Sequence, residues 1–200
     1  MKGTAKFVFV FAVMFAAGCT TAVKQVVYAV RGPQGETLVI EAEPREVFEK
    51  YQKVEVTSFE NKIPEVIPET VTARVQSETV TEIGKKGIFT SGASAVEKEV
   101  GEATEPTLVV SGKLLDISTD EVPGQKIIGS PNHLIAQVEV KDRSSGKVLA
   151  RANVRGVVKS AVDFNVTSLA TGLGRGIEKL LEQLTGRKPV EEGKKKVERQ

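Results

Sequence analysis

The chain has 200 residues, 28 of them Lys or Arg and 26 Asp or Glu, with one histidine, one cysteine and no tryptophan. A single cysteine excludes an internal disulfide, so stability has to come from a packed core, for which the length suffices. The near-balance of charge gives no electrostatic case for nucleic acid, and one histidine with one cysteine argues against zinc.

In chain order, Lys2 and Lys6 precede an unbroken apolar run from Phe7 to Ala17. The run is about half the ~20 residues that a membrane-spanning helix needs. A basic start, a short apolar stretch and small residues after it read as an export signal. Ala16-Ala17-Gly18-Cys19 follows and resembles the lipobox of bacterial lipoproteins, with Ala16 where Leu is usual. The resemblance implies cleavage after Gly18 and a diacylglycerol thioether plus an N-acyl chain on Cys19. That exceeds the two signals usually needed for stable anchoring. It also implies outer-membrane sorting, because Thr20 stands where a retention Asp would be. Loss of residues 1–18 takes Lys2 and Lys6 from the 28 basic residues and leaves as many as the 26 acidic ones.

Val26–Val30 and Thr37–Ala42 are β-rich and flank Arg31–Glu36, which suggests a hairpin within a lead spanning 19–50. Pro44 opens a helical turn through Tyr51, with Val47, Phe48 and Tyr51 on one face. Val54–Phe59 alternates and predicts the first core strand. A helix is expected from Pro68 to Lys86, with Ile67, Val71, Val75 and Ile83 on one stripe, Val80 beside it and Gly87 as its stop. Ile88 and Phe89 predict a new strand, and Ala93–Pro106 an acidic loop. Thr107–Ser118 reads as a long strand. Leu108, Val110 and Leu114 share one parity and Leu115 and Ile117 the other, so a bulge is expected near Leu114. Asp120–Asn132 is expected to be a second, mobile loop.

The clearest pattern is a hairpin. Leu134, Ala136, Val138 and Val140 pair with Val148, Ala150, Ala152, Val154, Gly156 and Val158 around Arg143-Ser144-Ser145-Gly146. A three-residue loop with glycine in the left-handed position would give the required even register. The outer face then carries Gln137, Glu139, Lys141, Arg151, Asn153 and Arg155. Leu169, Leu173, Ile177, Leu180, Leu181 and Leu184 predict an amphipathic helix over Thr167–Leu184, its first turns loosened by Gly172, Gly174 and Gly176. The sum is an α/β (α+β) domain over 51–186, with a mixed sheet and two main amphipathic helices. Its C-terminal hairpin is followed by a helix, and its strand–helix–strand unit is expected to cross over right-handed. Residues 187–200 carry six Lys/Arg against three Glu and read as a disordered basic tail.

Val54–Asn61, Leu108–Leu114 and the Asp142–Ala150 hairpin, in this order, resemble an uncharacterised family of bacterial lipoproteins, a domain of unknown function. More broadly they are similar to the periplasmic α/β lipoprotein domains of curli-secretion, penicillin-binding-protein-activator and TolB amino-terminal type. Ile128–His133 stands where family members often carry a glycine-rich run. The resemblance supplies no catalytic residue.

Candidate chemistry is sparse. Gly172-Leu173-Gly174-Arg175-Gly176 looks like a phosphate-loop fragment but lies inside the leucine stripe, where close helix packing explains it. His133 could form a triad with Ser130 and Asp120 or Asp142, yet no nucleophile elbow is present. Glu41/Glu43 and Glu97/Glu99 could act as carboxylate pairs, with solvated surface as the plainer reading. Asn165-Val166-Thr167 matches a glycosylation sequon and equally a helix cap. The expectation is therefore no enzyme, no catalytic residue, no cofactor and no metal. The chain reads as an adaptor or assembly component in the cell envelope, anchored through Cys19. Its partner would be another envelope protein or itself. A secretion-pore component and a ligand-binding lipoprotein are the alternatives.

Overall fold

Alternating apolar residues in the strands and a leucine stripe in the last helix leave one way to bury both: helices stacked on one face of a sheet. The computed structural model describes residues 32–63, 69–97, 99, 102–118, 132–158 and 166–188 and has this arrangement. Its elements are β1 (Gln34–Ala42), a 3-10 turn (Arg45–Phe48), β2 (Lys53–Val56), β3 (Glu60–Asn61), α1 (Glu69–Lys86), β4 (Ala93–Ala95), β5 (Thr107–Ser118), β6 (Asn132–Asp142), β7 (Val148–Val158) and α2 (Val166–Thr185). One seven-stranded mixed sheet runs β1-β7-β6-β5-β2-β4, with β3 also paired to β5. β2 is parallel to β4 and β5, and the remaining neighbours on that path are antiparallel. The fold is a single α+β domain.

The even residues of β6 and β7 face the helices. Leu134, Ala136, Val138, Val140, Ala150, Ala152 and Val154 are fully buried, together with Leu169, Leu173, Ile177, Leu180 and Leu181 of α2. Each buried leucine or isoleucine contributes about 2 kcal/mol, so the α2 stripe alone supplies on the order of 10 kcal/mol. Val71, Val75 and Ile83 bury one side of α1, and Gly87 ends it at φ 60°, as a left-handed cap requires. The Arg45 guanidinium donates to the Thr185 and Gly186 carbonyls at 3.2 and 2.9 Å, capping α2 from the 3-10 turn.

Several expectations need correction. The expected turn over Arg31–Glu36 is partly strand, because β1 begins at Gln34 and its partner is β7, some 115 residues away; Val26–Val30 lies outside the described residues. β2 ends at Val56, three residues short of Phe59, yet Phe59 is buried. Ile88 and Phe89 form no strand but plug the core from the loop. The strand comes later, at Ala93–Ala95, inside the stretch expected to be loop. The hairpin turn holds four residues: Asp142 N–H donates to the Lys147 carbonyl and Gly146 N–H to that of Asp142, both at 2.9 Å. The even register is restored by an irregularity in β7, since Lys141 pairs with Val148 but Val140 with Ala150. α2 is continuous through its three glycines. Arg187, expected in the tail, donates to the Glu49 carbonyl at 2.7 Å and lies over the Phe89 ring. Conversely, the bulge expected near Leu114 is present: the β5–β6 register shifts between Leu114 and Asp116. The 119–131 stretch lies outside the described residues.

Candidate functional site

The lipidation residue Cys19, the cleavage residues Ala16, Ala17 and Gly18, and Asn165, Ser130 and Asp120 lie outside the described residues. The triad of His133 with Asp142 is not assembled: the two residues sit at opposite ends of β6. His133 Nε2 instead lies 3.0 Å from Asp116 Oδ2. Asp142 organises the hairpin turn. It accepts from Tyr51 Oη and Ser144 Oγ at 2.6 Å, and from Ser145 N and Oγ at 2.8 Å. Burial would raise its carboxyl, but these donors hold it well below the usual carboxylate range. Burial, reinforced by Asp142, pushes the Tyr51 phenol above its ordinary value.

The glycine cluster is packing. A Cβ on Gly35 would collide with the Gly176 backbone, and one on Gly156 would lie 2.5 Å from the Leu169 carbonyl oxygen. One on Gly174 would meet Glu78 O and Thr79 Cα of α1 at 3.1 Å. Gly172 and Gly176 thus let α2 settle on β7 and β1, and Gly174 lets α1 approach from the side. Between the helices runs a polar seam. Thr171 Oγ1 donates to Glu78 at 2.9 Å and Arg175 Nε to Glu82 at 3.0 Å. Burial would raise Glu82, but Lys85 and Arg175 hold it below its ordinary value. Glu178 is 3% exposed, and its Oε1 has no hydrogen-bond partner. Burial pushes its carboxyl up, with Glu182 and Glu82 adding to the shift against Lys86 and Lys179.

Among the described residues, no helix lies on the opposite face of the sheet. The odd residues of β6 and β7 make an ion-pair ladder across it. Arg151 donates to Glu41 of β1 at 2.6 Å and to Glu139 at 2.8 Å. Lys141 bridges Glu139 at 2.9 Å and Glu99 at 2.6 Å. Donation from Arg151 foremost, and from Lys141, lowers the Glu139 carboxyl. Glu43 pairs with Lys147 at 2.7 Å, and Glu97 is exposed, so neither expected carboxylate pair is a free acid couple. The ladder ends on β1, the edge strand, where Leu38 is 68% exposed, Ile40 53% and Val39 38%. The sequence placed the polar residues on the outer face; it gave no sign that β1 would border them, because that pairing is non-local.

Among the described residues no three His, Cys, Asp or Glu side chains are grouped to hold a metal ion, and no helix is long and apolar enough to cross a membrane.

No protein-family model and no curated protein sequence matches the chain. Solved structures do. A PelC dodecamer from Paraburkholderia phytofirmans is similar at TM-score 0.48 and 18% identity, over 76% of this chain and 97% of the other. A Xanthomonas campestris protein of the DUF330 family is similar at TM-score 0.40 and 11% identity, over 74% and 90%. Lipoprotein GNA1162 from Neisseria meningitidis is similar at TM-score 0.37 and 12% identity, over 67% and 98%. The structural neighbours therefore include DUF330 and lipoprotein chains.

Proposed function

We propose that the chain is a lipid-anchored envelope lipoprotein, held by acyl chains on Cys19 at the periplasmic face of the outer membrane. It acts without catalysis, as an adaptor or assembly component of secretion, transport or cell-wall machinery. The observation that carries the reading is an asymmetry. Among the described residues, one sheet face is covered by two helices, while the other carries an ion-pair ladder ending on an apolar edge. Such a surface suits contact with a polypeptide. The anchor rests on Lys2, Lys6, the Phe7–Ala17 run and Ala16-Ala17-Gly18-Cys19, and the curli-secretion, penicillin-binding-protein-activator and TolB likeness points the same way. A pore would need the apolar face of the β6–β7 hairpin turned to lipid, whereas Leu134, Ala136 and Val138 are committed to the core.

The test combines palmitate labelling of whole cells with cross-linking in the native envelope, for the natural chain and Cys19→Ala. Label and membrane retention that both vanish in Cys19→Ala, with one reproducible cross-linked species, are the expected result. A natural chain that takes up no label and washes off the membrane refutes the anchor. A labelled chain that cross-links to nothing refutes the adaptor role.

A further inference from the structure

We infer that the edge of β1, which no other described strand pairs, is a self-association site, at which two copies pair antiparallel about a two-fold axis at Leu38. This deepens the assembly reading and takes the membrane tether from it.

Gly35 O accepts from Lys179 Nζ at 3.1 Å and Pro33 O from Arg175 Nη1 at 2.5 Å, so the odd residues of β1 point their carbonyls away from β7. The even ones, Glu36 and Leu38, lie opposite Arg155 and Asn153 and bond to β7. The register breaks between Val39 and Glu41, and Glu43 N–H is again directed to β7, at Leu149 O, 2.8 Å. Thr37 and Val39, at the centre of the strand, therefore have both backbone groups at the edge. An antiparallel self-pairing with Thr37 opposite Val39, and Leu38 facing its own counterpart, uses both in both copies and leaves the Gly35 carbonyl to Lys179.

Side chains agree with that register. Leu38 meets Leu38 in a non-hydrogen-bonded pair, where side chains approach most closely. Glu36 falls opposite Ile40 and Glu41 opposite Gly35, so no acid faces an acid. Each acid has an ion-pair partner within its own copy, Glu41 with Arg151 at 2.6 Å and Glu36 with Arg155 at 4.0 Å. Long apolar edges invite such pairing. A contact made by one strand is small beside the roughly 1,200 Å² of stable interfaces, so free molecules pair weakly. Cys19 lies 13 residues before Gly32, a reach of at most about 45 Å. Two tethered copies thus hold their edges near one membrane at raised effective concentration.

The test is register-specific disulfide trapping with full-length Leu38→Cys and Glu36→Cys, both at exposed positions, reconstituted in phospholipid vesicles. The same substitutions are made in a Cys19→Ala background, where each new thiol is alone. Two Leu38 positions fall within disulfide reach, whereas two Glu36 positions lie about 13 Å apart along the strands. The expected result is oxidation of Leu38→Cys to dimer at least about tenfold faster than Glu36→Cys, with the preference kept in concentrated Cys19→Ala protein. Equal rates, or no Leu38→Cys dimer at all, overturn the proposal while leaving the anchor intact. A natural chain that takes up no palmitate defeats the anchor instead, and the Cys19→Ala series still judges the edge.

Discussion

Gly156→Ala is the sharpest perturbation of the seat between α2 and β7. The added methyl would sit 2.5 Å from Leu169 O and 3.0 Å from Gly172 C, and closer still to Leu173 N. All three are helix backbone, which has no rotamer to give. Carbon contacts settle at about 3.5–4.0 Å, so α2 has to withdraw by roughly 1 Å. A gap of that size forfeits a quarter to a half of each dispersion contact along the interface. Overpacking of this kind costs about 1–3 kcal/mol, and an immovable backbone puts it at the upper end. Against this stands a gain of about 0.4–1 kcal/mol from the stiffer unfolded chain. The net is a loss of about 2–3 kcal/mol, or roughly 8 °C in Tm for a domain of this size. Gly84→Ala is the internal control. It changes an exposed glycine of α1 with nothing within 4 Å of the new carbon and should gain about 0.5–1 kcal/mol. Urea unfolding followed by circular dichroism reads both. If Gly156→Ala is as stable as the natural chain while Gly84→Ala behaves as expected, α2 is not seated on β7 as described.

Glu178→Gln should stabilise at neutral pH by about 1 kcal/mol, the scale of an unsatisfied buried group. Because the folded-state carboxyl is raised, folding takes up a proton. Stability from this residue is complete below the ordinary carboxyl range and falls as pH rises through the folded value; Gln removes that fall, and Tm between pH 4 and 8 reports it. Asp142→Asn has the opposite sign. Its depressed carboxyl gives stability that is present above the ordinary range and lost in acid, so the variant should lose about 2 kcal/mol at pH 7 and show a flatter acid limb. Tyr51, held protonated by burial and Asp142, should ionise at higher pH than an unperturbed tyrosine, and Asp142→Asn should lower that value; ultraviolet absorbance titration measures both. Arg45→Ala uncaps the α2 C-terminus and should cost about 1 kcal/mol, checked by the urea midpoint.

Elements with dense local pattern were legible in the sequence. The α2 stripe, the β6–β7 alternation and the parity switch at Leu115 each encode their own geometry. Ala93-Ser94-Ala95 carries no such pattern, because a three-residue parallel edge strand is held by backbone pairing with β2 rather than by side-chain burial. Ile88 and Phe89 misled because two buried apolar residues look alike in a strand and in a loop. The glycines of α2 were readable as packing residues, but their counterparts Gly35 and Gly156 were not, since complementarity across 120 residues leaves no local trace. For the same reason the ladder residues were placed on the outer face, while their partners Glu41 and Glu99 were read as a separate acidic surface.

The pairing of the first described strand with the last fixes an order of assembly. β5, β6, β7 and α2 are consecutive and close their contacts over short stretches of chain. Gly35 meets Gly156 only after the longest loop in the sheet has closed, the slowest kind of contact to form. β1 therefore joins a framework that already stands, and its amides should exchange with solvent at lower cost than those of β6. Pulling on the N-terminal side, where Gly32 leads into β1, loads the element that docks last. The domain can then yield one strand to tension while its centre stays folded.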